Sequence, residues 1–161
     1  MKRFLTVLLG LALLAGAGFW WFLPSHVLKR RTEALLNTMT LEIGDGKSQR
    51  HLGAYSLNGL LAPEVTLESA EQTEANGVFP REELESVYSW MCDNAKQSRF
   101  EVGEFRQITI VGDRATVELS VQGMVELQVY RPLDGLHQAT LHWVKSKDVW
   151  RLERAIWKPS R

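Results

Sequence analysis

Ile108-Thr109-Ile110-Val111-Gly112-Asp113-Arg114-Ala115-Thr116-Val117-Glu118-Leu119-Ser120-Val121 is the stretch whose reading decides the fold. Ile108 and Ile110 alternate with Gln107 and Thr109. Ala115, Val117, Leu119 and Val121 alternate with Thr116, Glu118, Ser120 and Gln122. A period of two puts one set of side chains on a buried face and the other in water. Gly112-Asp113 supplies a tight hairpin turn. Two long antiparallel strands are therefore expected here.

Downstream, the second strand runs to about Tyr130. Gly123 interrupts it and suggests a bulge or sharp bend. Pro132 and Asp134-Gly135 turn the chain. Residues 137–145 read as a strand with Ala139, Leu141 and Trp143 on one face. Ser146-Lys147-Asp148 turns again, and 149–157 closes the domain with Trp150, Leu152 and Ile156. Upstream, the two-residue period begins at about Phe100. Before it, Leu84, Val87, Tyr88, Met91 and Ala95 fall on one helical stripe. Residues 68–77 read as a polar loop, and Val65-Thr66-Leu67 as a short strand. A weaker helix is expected over 48–61, with Leu52, Tyr55, Leu60 and Leu61 as its apolar side and Pro63 as its stop. Gly53 and Gly59 weaken it. Gly44-Asp45-Gly46 is a turn. Another helix spans about 26–39, with Pro24-Ser25 as its cap. Three helices followed by four long strands predict an α+β domain, its helices packed on a strongly curved antiparallel sheet.

The first residues read as an address. Met1-Lys2-Arg3 is a basic head, and residues 4–23 carry no charge. At ~1.5 Å per residue that run matches the ~30 Å core of a bilayer. Ala15-Gly16-Ala17 offers a signal-peptide cleavage site. The apolar run continues past it through Phe19-Trp20-Trp21-Phe22-Leu23, which favours an uncleaved anchor. Residues 1–25 are thus read as a membrane anchor or signal segment, and 26–161 as the domain. Lys2 and Arg3 are opposed by Lys29, Arg30 and Arg31 beyond the span. A short head before a long domain places the domain outside the cytoplasm, on the inner membrane.

Hydrophobic residues make up 45% of the 161 residues and charged residues 24%, which suits one globular domain plus this appendage. Lys+Arg and Asp+Glu are 19 each, so no surplus of cations points to nucleic acid. One cysteine forms no internal disulfide and no cysteine-built zinc site. His137 and His142 lie five apart on one strand and point to opposite faces, and His26 and His51 belong to different helices, so neither a metal nor another cofactor is expected. Cys92 adjoins Asp93 rather than a cation and reads as packing. No nucleophile elbow or phosphate loop is present. Residues 145–161 are basic and 64–85 acidic, a polarity that suits docking or ordinary solvated surface.

The stretch 108–117, together with Leu60-Leu61-Ala62-Pro63-Glu64-Val65-Thr66-Leu67, Arg81-Glu82-Glu83-Leu84 and Asp148-Val149-Trp150-Arg151-Leu152, resembles the nuclear transport factor 2-like superfamily, also called the cystatin-like or ketosteroid isomerase-like cone. The resemblance covers about residues 26–158. It implies shape rather than chemistry. The isomerases in that superfamily use a strand carboxylate as base. The matching position is Ser69, beside Glu68, and serine takes no proton at neutral pH unaided. Their tyrosine on the first helix has no counterpart, and their protonated aspartate falls near Thr140. Glu68 is left as a displaced base or a solvated carboxylate.

The resemblance implies a membrane-anchored member without the isomerase residues. The leading expectation is a non-catalytic interaction or assembly module, forming a homodimer through its sheet. The alternative is a binding module for a small lipophilic molecule, with Tyr55, Tyr88, Phe105, His142 and Trp143 lining the cone. An acid/base enzyme using Glu68, His142 or a tyrosine comes third. A connected cavity of ~300 Å³ or more separates the second from the first.

Overall fold

The computed structural model describes residues 23–70, 73–128 and 133–160. The apolar run at 4–23, and with it the anchor, lies almost wholly outside the described residues. Among those described, no helix is long and apolar enough to cross a membrane.

Helix α1 (Pro24–Met39) buries Leu28, Thr32, Leu35 and Leu36, a stripe at helical spacing. Pro24 occupies the first helical turn, where its missing N–H costs nothing. Ser25 is therefore inside the helix, not its cap. The exit of α1 is stitched to the sheet: Leu41 and Ser98 exchange backbone hydrogen bonds at 2.8 and 3.0 Å. Ser98 Oγ also donates to Met39 O at 2.6 Å.

Helix α2 (Lys47–Leu60) follows the turn at Gly44, whose φ of +98° is the left-handed region that glycine tolerates. Its buried residues are Leu57 and Leu60, whereas Leu52 is 56% and Tyr55 82% exposed. The expected apolar side is thus rotated. Gly53 explains why. A Cβ on Gly53 would lie 2.0 Å from Tyr88 Oη, so this position receives a neighbour's phenol instead of contributing a side chain.

Strand β1 (Leu61–Ser69) starts directly after α2, so Pro63 does not stop the helix but lies within the strand. It is tolerated because the pairing of β1 with the last strand is irregular between Leu61 and Thr66, where its missing N–H breaks no ladder. A 3-10 turn (Thr73–Ala75) leads to β2 (Gly77–Pro80), an unexpected four-residue edge strand that starts where the region read as loop ends. Helix α3 (Arg81–Asn94) buries Tyr88 and Cys92, with Leu84 and Met91 packed beside them; Val87 is exposed.

Strand β3 (Ala95–Val111) begins five residues before the expected start, and β4 (Arg114–Leu127), β5 (Leu133–Ser146) and β6 (Val149–Pro159) complete the sheet. The order is β2-β1-β6-β5-β4-β3. β1 runs parallel to β6 and all other neighbours are antiparallel. The bend is not at Gly123, which pairs in unbroken register with Phe100 and Gly135. Instead β3 shifts register between Val102 and Glu104 and again between Phe105 and Gln107. These bulges return Val102, Phe105 and Ile108 to the inner face at spacings of three. A shift against β5 at Glu153 of β6 likewise turns Ala155, not Ile156, toward the core.

The inner face meets the helices in one core. Trp143, Leu28, Leu119, Val65 and Val117 are fully buried there. Each such side chain stabilises the fold by roughly 1.5–3 kcal/mol relative to exposure.

Candidate functional site

The sheet offers two places for chemistry, its concave inner face and its outer face. Trp143 and His142 are neighbours in β5 and point to opposite sides. Trp143 is 0% exposed and belongs to the core. Its Nε1 is buried without a hydrogen-bond partner. His142 lies on the outer face, with Nδ1 3.3 Å from Thr116 Oγ1.

The other proposed pocket residues also diverge. Tyr88 is 5% exposed, and its hydroxyl lies 3.0 Å from both Thr38 O and Arg50 O, to which it donates. Burial, then its contact with Cys92, raises the phenol above its ordinary range. Burial raises the Cys92 thiol as well, so it is held neutral and unreactive. Phe105 packs against the core edge under Lys29, whose Nζ is 5.3 Å from the ring centroid. Tyr55 stands in solvent. The five residues are not gathered around one cavity.

The positions matching the isomerase residues are occupied structurally. The Ser69 N–H donates to Asn76 Oδ1 at 2.6 Å, and Asn76 Nδ2 donates to Ser69 O at 3.2 Å, closing the loop after β1. Glu68 accepts from Arg154 Nη2 at 2.6 Å. That pair joins the acidic and basic segments within one chain. Thr140 pairs with Glu118 and Ile156 on the outer face. Among the described residues, no group of three His, Cys, Asp or Glu is placed to hold a metal.

Two shallow hollows lie along the sheet. One, of about 150 Å³, lies at the hairpin end of the outer face, lined by Thr109, Val111, Arg114, Ala115, Thr116, His142 and Glu153. Arg114 Nη1 donates to Glu153 Oε1 at 2.7 Å beside it. It is smaller than the ~300–1,000 Å³ of typical ligand pockets. The other, about 420 Å³, is an open-sided groove between α1 and edge strand β3, lined by Glu33, Leu36, Asn37, Phe100, Glu101 and Val102.

Sequence reasoning missed the role of the arginines. Arg50 donates to the carbonyls of Cys92, Ala95, Glu42 and Lys96, tying the end of α3 to the loop before α2. Arg31, Arg81 and Arg151 converge on the end of α2. These contacts span up to 93 positions in sequence, so no local pattern announces them.

The family models and the curated proteins yield no match to this chain. Solved structures do. A nuclear transport factor 2-like protein from Cytophaga hutchinsonii aligns over 86% of this chain and 100% of its own, at 15% identity and a TM-score of 0.66. A protein from Kribbella flavida aligns over 84% and 89%, at 14% identity and 0.67. A protein with a cystatin-like fold from Caulobacter vibrioides aligns over 85% and 89%, at 11% identity and 0.64. Likeness at such identities is likeness of shape, and it agrees with three helices laid on a bent six-stranded sheet: the chain has the nuclear transport factor 2-like, cystatin-like fold.

Proposed function

We propose that this domain is a non-catalytic interaction or assembly module, held at the extracytoplasmic side of a membrane by residues 4–23 and dimerising through the outer face of its sheet. The observation that carries the reading is the filled cone. Trp143, Leu28, Val117 and Leu119 occupy the space where related folds would keep a pocket, each with 0–1% exposure. The acid/base candidates give no convergent pair: Glu68 is bound to Arg154, and His142 faces outward beside Thr116.

The outer face supports the dimer. It presents Thr116, Thr140, Gln138 and the half-buried Ile156 at its centre. Glu104 and Glu118 lie toward one side, and Arg154 and Lys158 toward the other. A two-fold axis along the strands sets the acidic side of one copy against the basic side of the next. The anchor reading draws support from α1, which begins at Pro24, directly after the apolar run. The lipophilic-ligand reading retains only the groove beside Phe100 and Val102, which is open along its length and carries Glu33 and Glu101.

Native mass spectrometry of the full chain released from non-ionic micelles tests this reading. A dimer free of any discrete apolar small molecule is expected. A monomer carrying one overturns it.

A further inference from the structure

Three arginines from three elements meet at the C-terminal end of α2. Arg31 of α1 donates through Nη2 to Gly59 O. Arg81, the first residue of α3, donates through Nη1 to Asn58 O at 3.3 Å. Arg151 of β6 donates through Nη1 to the same oxygen at 3.0 Å and to Leu61 O at 3.3 Å. Two guanidiniums thus share one carbonyl, and the third holds the next carbonyl along. Burial, and then the charge of Arg151, lower the pKa of Arg31.

Capping a helix end accounts for part of this arrangement. The C-terminus of a helix carries the equivalent of only about half a negative charge. Against it stand three full positive charges. Among the described residues, the one ion pair made by the three is Arg81 Nη2 with Glu82 Oε1, at 4.0 Å, and the Glu82 side chain is 74% exposed. Three guanidiniums offer about fifteen N–H donors. The carbonyls of Asn58, Gly59 and Leu61 use few of them, and Nε of both Arg31 and Arg81 is buried without a partner. Glu85 accepts from Asn58 Nδ2 at 2.9 Å and brings a carboxylate to the same helix end, but three guanidiniums against Glu82 and Glu85 still leave cations and N–H donors in excess. It is also reachable, because Asn58 and Gly59 are exposed and the three arginines are only partly covered.

We propose that Arg31, Arg81 and Arg151 form an oxyanion site that takes a phosphate group, either free phosphate or the headgroup phosphate of an anionic phospholipid. A phosphate directs more oxygens to more sides than the two of a planar carboxylate, so it is better matched to several forks at once. The headgroup source rests on the anchoring proposed above: Arg31 lies about 10 Å along α1 from Pro24, within reach of the polar layer of a bilayer. The site itself does not rest on that reading.

The test is thermal unfolding of the full chain in non-ionic micelles, in buffer without phosphate. Inorganic phosphate is compared with sodium chloride at equal ionic strength, and phosphatidylglycerol-doped micelles with micelles doped with a neutral diacylglycerol. The site predicts a rise in Tm of about 2–4 °C with phosphate, with phosphatidylglycerol, or with both. Phosphate alone names the free anion as ligand. Phosphatidylglycerol alone names the headgroup. Phosphate also stabilises proteins by exclusion from their surface, so the shift must depend on the cluster. Arg31→Gln is expected to weaken binding at least about tenfold. Should that variant fail to fold, Arg31→Lys keeps the charge, removes the fork and is expected to weaken binding less. No shift in any condition, or a shift undiminished in the folded variant, overturns the proposal.

Discussion

The two faces of one sheet behave differently, although they are built from alternate residues of the same strands. The inner face is closed. Trp143, Leu119 and Val117 lie in a continuous core under α1 and α2. The outer face is polar and presents Thr116, Glu118, Thr140 and His142 to the surroundings. Packing fills the space between the inner face and the helices.

Substitutions sharpen the contrast. Trp143→Ala removes a fully buried indole and is expected to cost about 3–5 kcal/mol, read as a lower midpoint in chemical denaturation. Its neighbour His142→Ala, on the outer face, is expected to change stability by less than about 1 kcal/mol. Equal costs for the two would break the distinction between the faces.

Gly53→Ala tests how the helices close the cone. A Cβ there collides with Tyr88 Oη, so Tyr88 must leave its bonds to Thr38 O and Arg50 O. A loss of about 1–3 kcal/mol is expected. Tyr88→Phe in the Gly53→Ala background should recover only part of it, because the hydroxyl at 2.0 Å is removed while the ring Cζ, 2.7 Å from the added Cβ, remains.

The pH dependence follows from the same buried pair. Tyr88 and Cys92 have ordinary pKa values of 10.0 and 9.0, and both are raised in the fold. Each stays protonated in the folded state after the unfolded chain has begun to ionise. Their contribution is therefore fully present below about pH 9 and is lost as pH rises beyond it. Denaturation midpoints measured from pH 7 to 10.5 should fall above pH 9, and Cys92→Ala should delay the fall.

The smallest expected effect is at the exposed pair Glu68–Arg154. Glu68→Gln should cost no more than about 1 kcal/mol, less at high salt. A larger loss would mean that Glu68 does more than brace β1 against β6.

How much of this was legible in the sequence depends on how local the signal is. The hairpin at Gly112-Asp113 and the buried set Ala115, Val117, Leu119 and Val121 were readable because period two is strict there. The same alternation sets His142 and Trp143 on opposite faces, so the expectation that both line the cone ran against it. The bends of β3 were also written in the chain, as the three-residue spacings of Val102, Phe105 and Ile108, but Gly123 drew attention instead. β2 was not readable, since four residues ending in proline make no periodic pattern. The face of α2 was misread because its core position is filled by Tyr88 from another helix. The arginine cluster was beyond any local reading, because its members meet only through tertiary packing.

The most direct test of the outer face as a contact surface is disulfide crosslinking of the full chain in the membrane proposed to hold it. Cysteine is placed at Thr140 or Gln138 on the outer face, or at Ser56 on the exposed side of α2. The native Cys92 is buried and contributes little background. A covalent dimer from Thr140→Cys or Gln138→Cys, and none from Ser56→Cys, is the predicted result. Crosslinking from Ser56→Cys, with neither outer-face position reacting, would contradict it.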